Sequence, residues 1–229
     1  MTESDNSIQY CIFDMDGLLL DTERVYSEVS NEILSRYGKE FTWELKAQMM
    51  GRNQKDATKL FIDTHNLPIT AEEYLTERNR LQNEKFPHCK PLPGVMRLIK
   101  HLKQHKIPIA VATSSHHKAF LVKSQNNQEL FSLFDQIICG DNPNVLHGKP
   151  APDIFLEAAQ QLGAKDSKKC LVFEDAIPGV QAGVNAQMKT IWIPDPKLLE
   201  MAGSDIGATQ ILTSMEEFQP ELFGLPPFH

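Results

Sequence analysis

The sequence predicts an α/β protein in which a parallel sheet is covered by helices on both faces and a helical segment is inserted after the first strand. Three observations predict it. Short, unbroken apolar runs of strand length alternate with helical periods through the second half of the chain. No comparable run occurs between residue 20 and residue 88, where every apolar pattern has a helical period. Between these regions Pro87, Pro91, Pro93 and Gly94 break the pattern as a domain boundary does. A length of 229 residues suits one large domain or one domain with a small companion.

The elements follow in order. Ile8 to Phe13 is an apolar run bounded by polar residues and reads as a buried strand, ending at Asp14-Met15-Asp16-Gly17. From Thr22 to Tyr37 the period changes: Val25, Val29, Ile33 and Tyr37 recur every four residues, and Gly38 stops the helix. Asn53 is positioned to cap a helix carrying Ala57, Leu60 and Phe61, and Thr70 to Glu73 reads as a capping box. Val95 to His105 is helical, and Ile107 to Ala112 is an uninterrupted strand. Ile137 to Cys139, Leu171 to Phe173 and Ile191 to Ile193 read as further strands, with a helix from Ile154 to Leu162 stopped by Gly163. Continuous apolar strands of this kind are buried on both faces, which is the mark of a parallel sheet. The expected organisation is a Rossmann-like core of residues 1–19 and 91–229, with residues 20–90 as the helical insert. The last residues, from Gln219 on, read as irregular chain on the surface.

Composition narrows the function. Lys and Arg total 23 against 30 Asp and Glu, a formal charge of −7, with no basic stripe. A nucleic-acid polymer is therefore not an expected partner. No apolar stretch approaches the roughly 18 residues of a membrane span. Cys11, Cys89, Cys139 and Cys170 are far apart, and three of them fall in strand-like runs, so buried reduced thiols are expected rather than disulfides or a zinc site. The polar, acidic start MTESDNSIQY has no leader-like pattern, and a cytoplasmic setting is the expectation.

Open parallel sheets bind ligands beyond the carboxyl ends of their strands. The first strand ends in Asp14 and Asp16, whose side chains point the same way in extended chain, and Gly17 lets the chain turn away. Two close carboxylates repel unless a cation lies between them or one holds a proton. Alone, this is equally what a solvated turn looks like. The Ile107 strand ends in Thr113-Ser114-Ser115, either a helix cap or a phosphate cradle. Lys149 sits in Gly148-Lys149-Pro150-Ala151-Pro152-Asp153, where prolines stiffen the backbone around a point charge. The Leu171 strand ends in Glu174-Asp175, either an acidic helix start or the rest of a metal site. Each item is ambiguous, but together they supply what phosphoryl transfer requires: a nucleophile, a metal and donors for the phosphoryl oxygens.

Taken together, these residues resemble the haloacid dehalogenase-like superfamily of phosphotransferases. Its four signature elements occur in the family's order: Asp14-Met15-Asp16-Gly17, Thr113, Lys149-Pro150 and Glu174-Asp175. The helical insert lies where that family's C1-type cap belongs, with Asp21-Thr22-Glu23 as its entry hinge. The resemblance implies that Asp14 is the nucleophile and Asp16 the general acid and base. It implies Mg²⁺ held by the Asp14 carboxylate, the Asp16 carbonyl, Asp175 and Glu174, the last directly or through water. Thr113, the Ser114 amide and Lys149 would hold the phosphoryl oxygens. The substrate would be a small phosphorylated metabolite, and a monomer can carry this chemistry. The segments FDMDGLLLDTE, ATSS, HGKPAPDIF, CLVFEDA and FQPELFGLP are similar to a branch that acts on pseudouridine 5′-monophosphate. Other members hydrolyse sugar phosphates, glycerol phosphate or flavin mononucleotide. In the cap, Glu23, Arg52 and Asn53 are candidate specificity residues, or else exposed polar loop residues.

A sugar phosphomutase on the same scaffold usually carries a histidine shortly after the hinge, where this chain has Tyr26. A dehalogenase would not keep the acid at Asp16, since no leaving alcohol needs a proton. His101 and His105, four apart on a helix, read as surface residues, and Trp43 and Trp192 as packing residues.

Overall fold

The computed structural model describes residues 7–49 and 54–228. The chain divides into two compact units, Met1–Asp21 with Lys90–His229, and Thr22–Cys89.

The first unit is built on a six-stranded, wholly parallel sheet. Its strands are β1 (Tyr10–Phe13), β2 (Ile109–Thr113), β3 (Gln136–Cys139), β4 (Cys170–Glu174), β5 (Lys189–Trp192) and β6 (Gln210–Ile211). The order across the sheet is β3-β2-β1-β4-β5-β6. The chain therefore winds outward from β1 through β2 to β3, then returns to the other side of β1 and winds outward again through β4. That reversal, between β1 and β4, is the place beyond the carboxyl ends of the strands where open parallel sheets bind ligands. Register brings those ends level, because Cys11 pairs with both Ile109 and Leu171, and Phe13 with both Val111 and Phe173. β6 is the strand that the sequence pattern did not reveal: two residues are too short to carry a period.

Side chains alternate between the faces of the sheet. One face carries Ile12, Ala110, Ala112, Ile138, Cys170 and Val172. Against it pack α8 (Asp153–Gln161), through Ile154, Phe155, Ala158 and Ala159, and α9 (Ile177–Asn185), through Ala182. The small residues let these helices lie close to the strands. The other face carries an aromatic row. Phe13 stacks on Phe173 at 4.5 Å and meets Phe134 edge-on at 5.9 Å. Phe173 in turn meets Phe218 at 4.9 Å, and Phe218 lies 5.5 Å from Phe223. The tail is thus not the surface chain expected from its composition. Phe223 and Leu225 are buried, as is Phe218 just before the tail, and the Ile8 amide donates to the Phe223 carbonyl at 2.9 Å. Each such aromatic contributes about 2–3 kcal/mol by burial alone. This unit also contains α5 (Val95–Gln104), α6 (His117–Ser124), α7 (Gln128–Phe131) and α10 (Pro196–Ala202). On α5, His101 is buried, not exposed as its spacing suggested: its Nε2 lies 2.8 Å from the Pro226 carbonyl and its ring 4.6 Å from that of Phe228. All four cysteines are buried and free.

The second unit holds α1 (Thr22–Ser35), α2 (Trp43–Met49), α3 (Gln54–His65) and α4 (Ala71–Lys85), with no strand among its described residues. The apolar stripe of α1, Val25, Val29, Ile33 and Leu34, is buried. Phe61 of α3 packs on Tyr74 of α4 at 4.6 Å, and Tyr26 meets Phe86 edge-on at 5.3 Å. Thr70 forms the capping box of α4, its side chain accepting from the Glu73 amide while Glu73 reaches back to the Thr70 amide. Ion pairs join α1 and the turn after it to α4, with Lys85 3.3 Å from Glu32 and Arg36, just past α1, 2.7 Å from Glu77. No helix among the described residues is long and apolar enough to cross a membrane.

Candidate active site

β1 places the first carboxylate. The Asp14 amide donates to the Phe173 carbonyl at 3.0 Å, so the ladder between β1 and β4 continues one residue past the strand. This carries Asp14 just past the carboxyl end of β1, where it is only 6% exposed. Gly17, at φ +78°, then turns the chain away, a conformation that costs glycine little.

Lys149 closes the site from the loop before α8. Its ammonium donates to Asp14 Oδ1 at 2.6 Å, to Glu174 Oε1 at 2.6 Å and to the Ala112 carbonyl at 3.0 Å. Its three N–H bonds thus tie together the ends of β1, β4 and β2. The cation also lies 4.8 Å from the centre of the Phe155 ring.

Glu174 is held as firmly from its other oxygen. Oε2 accepts from the Asp175 amide at 3.1 Å and the Ala176 amide at 3.2 Å, at the point where β4 gives way to α9. Gly179 makes room for it: a Cβ at that position would lie 1.8 Å from Glu174 Oε1 and 1.9 Å from its Cδ. Asp175 is oriented through its backbone, whose carbonyl accepts from the buried Trp192 indole at 2.8 Å. Trp192 therefore does more than the packing role its sequence position suggested.

Asp16 belongs to a second cluster. Its Oδ1 accepts from Lys123 Nζ at 2.6 Å and its Oδ2 from Ser115 Oγ at 2.8 Å. Lys123 also donates to Ser115 Oγ at 2.8 Å. Thr113, wholly buried at the end of β2, accepts from the Ser115 amide at 3.1 Å, and its hydroxyl lies 3.5 Å from Asp16 Oδ2. The next residue, Ser114, is exposed. Its backbone passes so close to Gly140 that a Cβ there would lie 2.4 Å from the Ser114 carbonyl oxygen.

Burial is the largest influence on Asp14 and pushes its carboxyl up to about 7; Lys149 pulls it down, while Glu174 and Asp16 raise it further. Burial also works against the Lys149 ammonium, but Asp14 and Glu174 outweigh it and hold the lysine above its ordinary value. One ammonium thus serves two buried carboxylates. Asp14, Glu174 and Asp175 each offer an oxygen within 4.8 Å of the others. An all-oxygen, anionic donor set of this kind fits a hard divalent cation, and Mg²⁺ in particular is commonly held by one or two carboxylates with substrate phosphate. The Asp16 carboxylate lies outside this group of three, engaged by Lys123 and Ser115.

Of the residues singled out from the sequence, Asp14, Asp16, Thr113, Lys149, Glu174 and Asp175 converge at the carboxyl ends of β1, β2 and β4. Glu23 lies in the helical unit, its carboxylate 2.9 Å from Lys46 Nζ. Arg52 and Asn53 lie outside the described residues. Sequence reasoning passed over Lys123, and placed Ser115 only in a run of hydroxyls. The signal for Lys123 was slight: a lysine inside the apolar stretch of α6, with its partner 107 residues away.

The chain is similar to known proteins along its whole length. Over 232 residues the chain is 47% identical to (DL)-glycerol-3-phosphatase 2 of Arabidopsis thaliana, covering all of this chain and 96% of that protein. Over 223 residues it is 41% identical to a probable pseudouridine-5′-phosphatase of Drosophila melanogaster, covering 96% of each. Among solved structures, a HAD hydrolase of family IA, variant 3, from Entamoeba histolytica superposes with a TM-score of 0.76 at 27% identity, over 94% of this chain and 97% of that one. A family model for haloacid dehalogenase-like hydrolases matches residues 11–193, from within β1 to just past β5, a span that includes every carboxylate and lysine of the site. On this match, and on relatives more than 40% identical along nearly its whole length, the chain belongs to the haloacid dehalogenase-like hydrolase family.

Proposed function

We propose that this protein is a Mg²⁺-dependent phosphomonoesterase that works through an aspartyl-phosphate on Asp14. The observation that carries the reading is the Lys149 ammonium held 2.6 Å from both Asp14 and Glu174, beside the third carboxylate of Asp175. A phosphoryl group entering there meets a nucleophile and a fixed positive charge together.

In the first half-reaction an Asp14 carboxylate oxygen bonds to phosphorus as the bond to the ester oxygen breaks. Asp16 gives that oxygen a proton, so the product leaves as an alcohol. In the second, Asp16 takes a proton from water, the water oxygen bonds to phosphorus, and the acyl phosphate bond to Asp14 breaks. Splitting the transfer in this way replaces one hard step by two easier ones. Lys149, the Thr113 hydroxyl and the Ser114 amide hold the phosphoryl oxygens. Asp14, Glu174, Asp175 and the Asp16 carbonyl are the expected Mg²⁺ ligands. When bound, the cation supplies positive charge that offsets the repulsion between a carboxylate and a phosphate dianion.

The helical unit Thr22–Cys89 is proposed as a cap that selects the leaving group, with Glu23, Arg52 and Asn53 as its candidate contacts. Pseudouridine 5′-monophosphate is the first candidate substrate, supported by the relative of that name in Drosophila melanogaster. The more similar glycerol-3-phosphatase supports glycerol 3-phosphate as a second. Both are monoesters of a primary alcohol with further hydroxyls nearby, so one reaction serves either.

The test is phosphate release from a panel of nucleotides, pseudouridine 5′-phosphate, glycerol 3-phosphate, sugar phosphates and flavin mononucleotide, ranked by kcat/KM with Mg²⁺. Turnover should be lost in chelator and in Asp14→Asn. No release from any ester, or undiminished turnover in Asp14→Asn, would overturn the proposal.

A further inference from the structure

Lys123 is a charged residue in an apolar place. Its side chain, on α6, is 2% exposed. A buried ammonium is costly unless it is paired and hydrogen-bonded. Lys123 is, and its partner is the carboxylate of Asp16. Lys123, Ser115 and Asp16 form a closed triangle with edges of 2.6, 2.8 and 2.8 Å, so both Asp16 oxygens are held. Asp14, two residues earlier, is held by a different buried lysine. Left alone, two neighbouring carboxylates on one strand end would compete for the same cation. With two lysines from separate elements, each carboxylate has its own.

We infer that Lys123, acting with Ser115, is the positioning residue for Asp16: it holds the ionised carboxylate apart from the Asp14–Lys149 pair, and Asp16 takes up a proton from water before it gives one to the leaving oxygen. This rests on the phosphomonoesterase reading and on Asp16 as its acid and base. Lys123 acts through Asp16 on this reading, so its effect is confined to steps in which Asp16 moves a proton. If Asp16 is misplaced, esters whose leaving group needs that proton suffer, and esters whose leaving group departs as a stable anion are largely spared.

The test measures kcat/KM of the full chain with Mg²⁺ on substituted phenyl phosphates, from phenyl to 2,4-dinitrophenyl, for the unaltered protein, Lys123→Met and Ser115→Ala. In Lys123→Met, kcat/KM for phenyl phosphate should fall by about 10²-fold, the scale of a misplaced catalytic group. For the dinitrophenyl ester the fall should stay under about 10-fold, because that leaving group has little use for an acid. Ser115→Ala removes one of the holding contacts and should steepen the leaving-group dependence less. It also carries the test if Lys123→Met fails to fold. A parallel drop across the whole series, in whichever variant folds, would make Lys123 a structural counter-ion and overturn the inference while the phosphatase reading stands. Failure of the unaltered protein to hydrolyse any of these esters or any of the metabolite panel would instead sink the reading beneath it.

Discussion

Replacing Gly179 by alanine should disable the site from a residue that never meets substrate. The added Cβ would lie 1.8, 1.9 and 2.4 Å from Oε1, Cδ and Oε2 of Glu174. Ordinary contact for such atoms is roughly 3.5 Å, so the carboxylate must retreat by about 1.5 Å. Glu174 is nominally flexible, but here it is 1% exposed and accepts from Lys149 and from two backbone amides. Losing these charge-assisted bonds costs about 1.5–3 kcal/mol each before relaxation. Alanine returns about 1 kcal/mol of helix propensity within α9. If relaxation keeps one of the three bonds, losing the other two costs about 3–6 kcal/mol, and a net destabilisation of about 2–5 kcal/mol follows, within the range for overpacked or broken buried networks. Activity should fall by more than that loss of stability implies, because Lys149 loses one of its anchors; about 10²-fold is expected of an ångström-scale shift. Urea unfolding followed by indole fluorescence measures the first quantity. Phosphate release well below the unfolding midpoint measures the second. A Gly179→Ala protein with unaltered midpoint and turnover would show that Glu174 is not confined as described.

Other consequences concern charge, metal and the tail. Asp14 carries a carboxyl raised by burial, so the folded state binds a proton more tightly than the unfolded state between about pH 4 and 7. In metal-free solution stability should therefore fall as pH rises through that window, by at most about 4 kcal/mol from this group, and Asp14→Asn should flatten the fall and raise Tm most above pH 7. A Tm that rises with pH for the unaltered protein and the variant alike would contradict this. Mg²⁺ added to chelator-treated protein should raise Tm, by about 2.7 kcal/mol of stability at a hundred times its Kd, and Asp175→Ala should remove most of the gain; an equal gain in the variant would dismiss Asp175 as a ligand. Phe218→Ala should cost about 3–5 kcal/mol in urea unfolding, because the ring lies in the aromatic row of the sheet. A change under about 0.5 kcal/mol would take Phe218 out of the packed row.

The parts legible in the sequence were those whose cause is local. Unbroken apolar runs of three to six residues set between polar and turn residues suit buried strands, and β1 to β5 lie at those runs. Thr70 and Glu73 announce a capping box because the motif closes within one turn. The tail misled because its prolines and polar residues signal irregular chain correctly but say nothing about burial. Phe223, in the short 3-10 turn Pro220–Phe223, and Leu225 are buried in a place only the sheet provides. His101 misled for a similar reason, since its covering residues, Pro226 and Phe228, come from the far end of the chain.

By itself the sequence determined which residue types stand at the strand ends, since a parallel α/β pattern brings all those ends to one side of the sheet. It did not determine which charge serves which. Only the tertiary structure decided that Lys149 holds Asp14 and Glu174 while Lys123, unremarked on α6, holds Asp16. The physical reason is that strand periodicity is a short-range property, whereas the pairing of buried charges depends on which distant side chains the packed helices deliver to a common point.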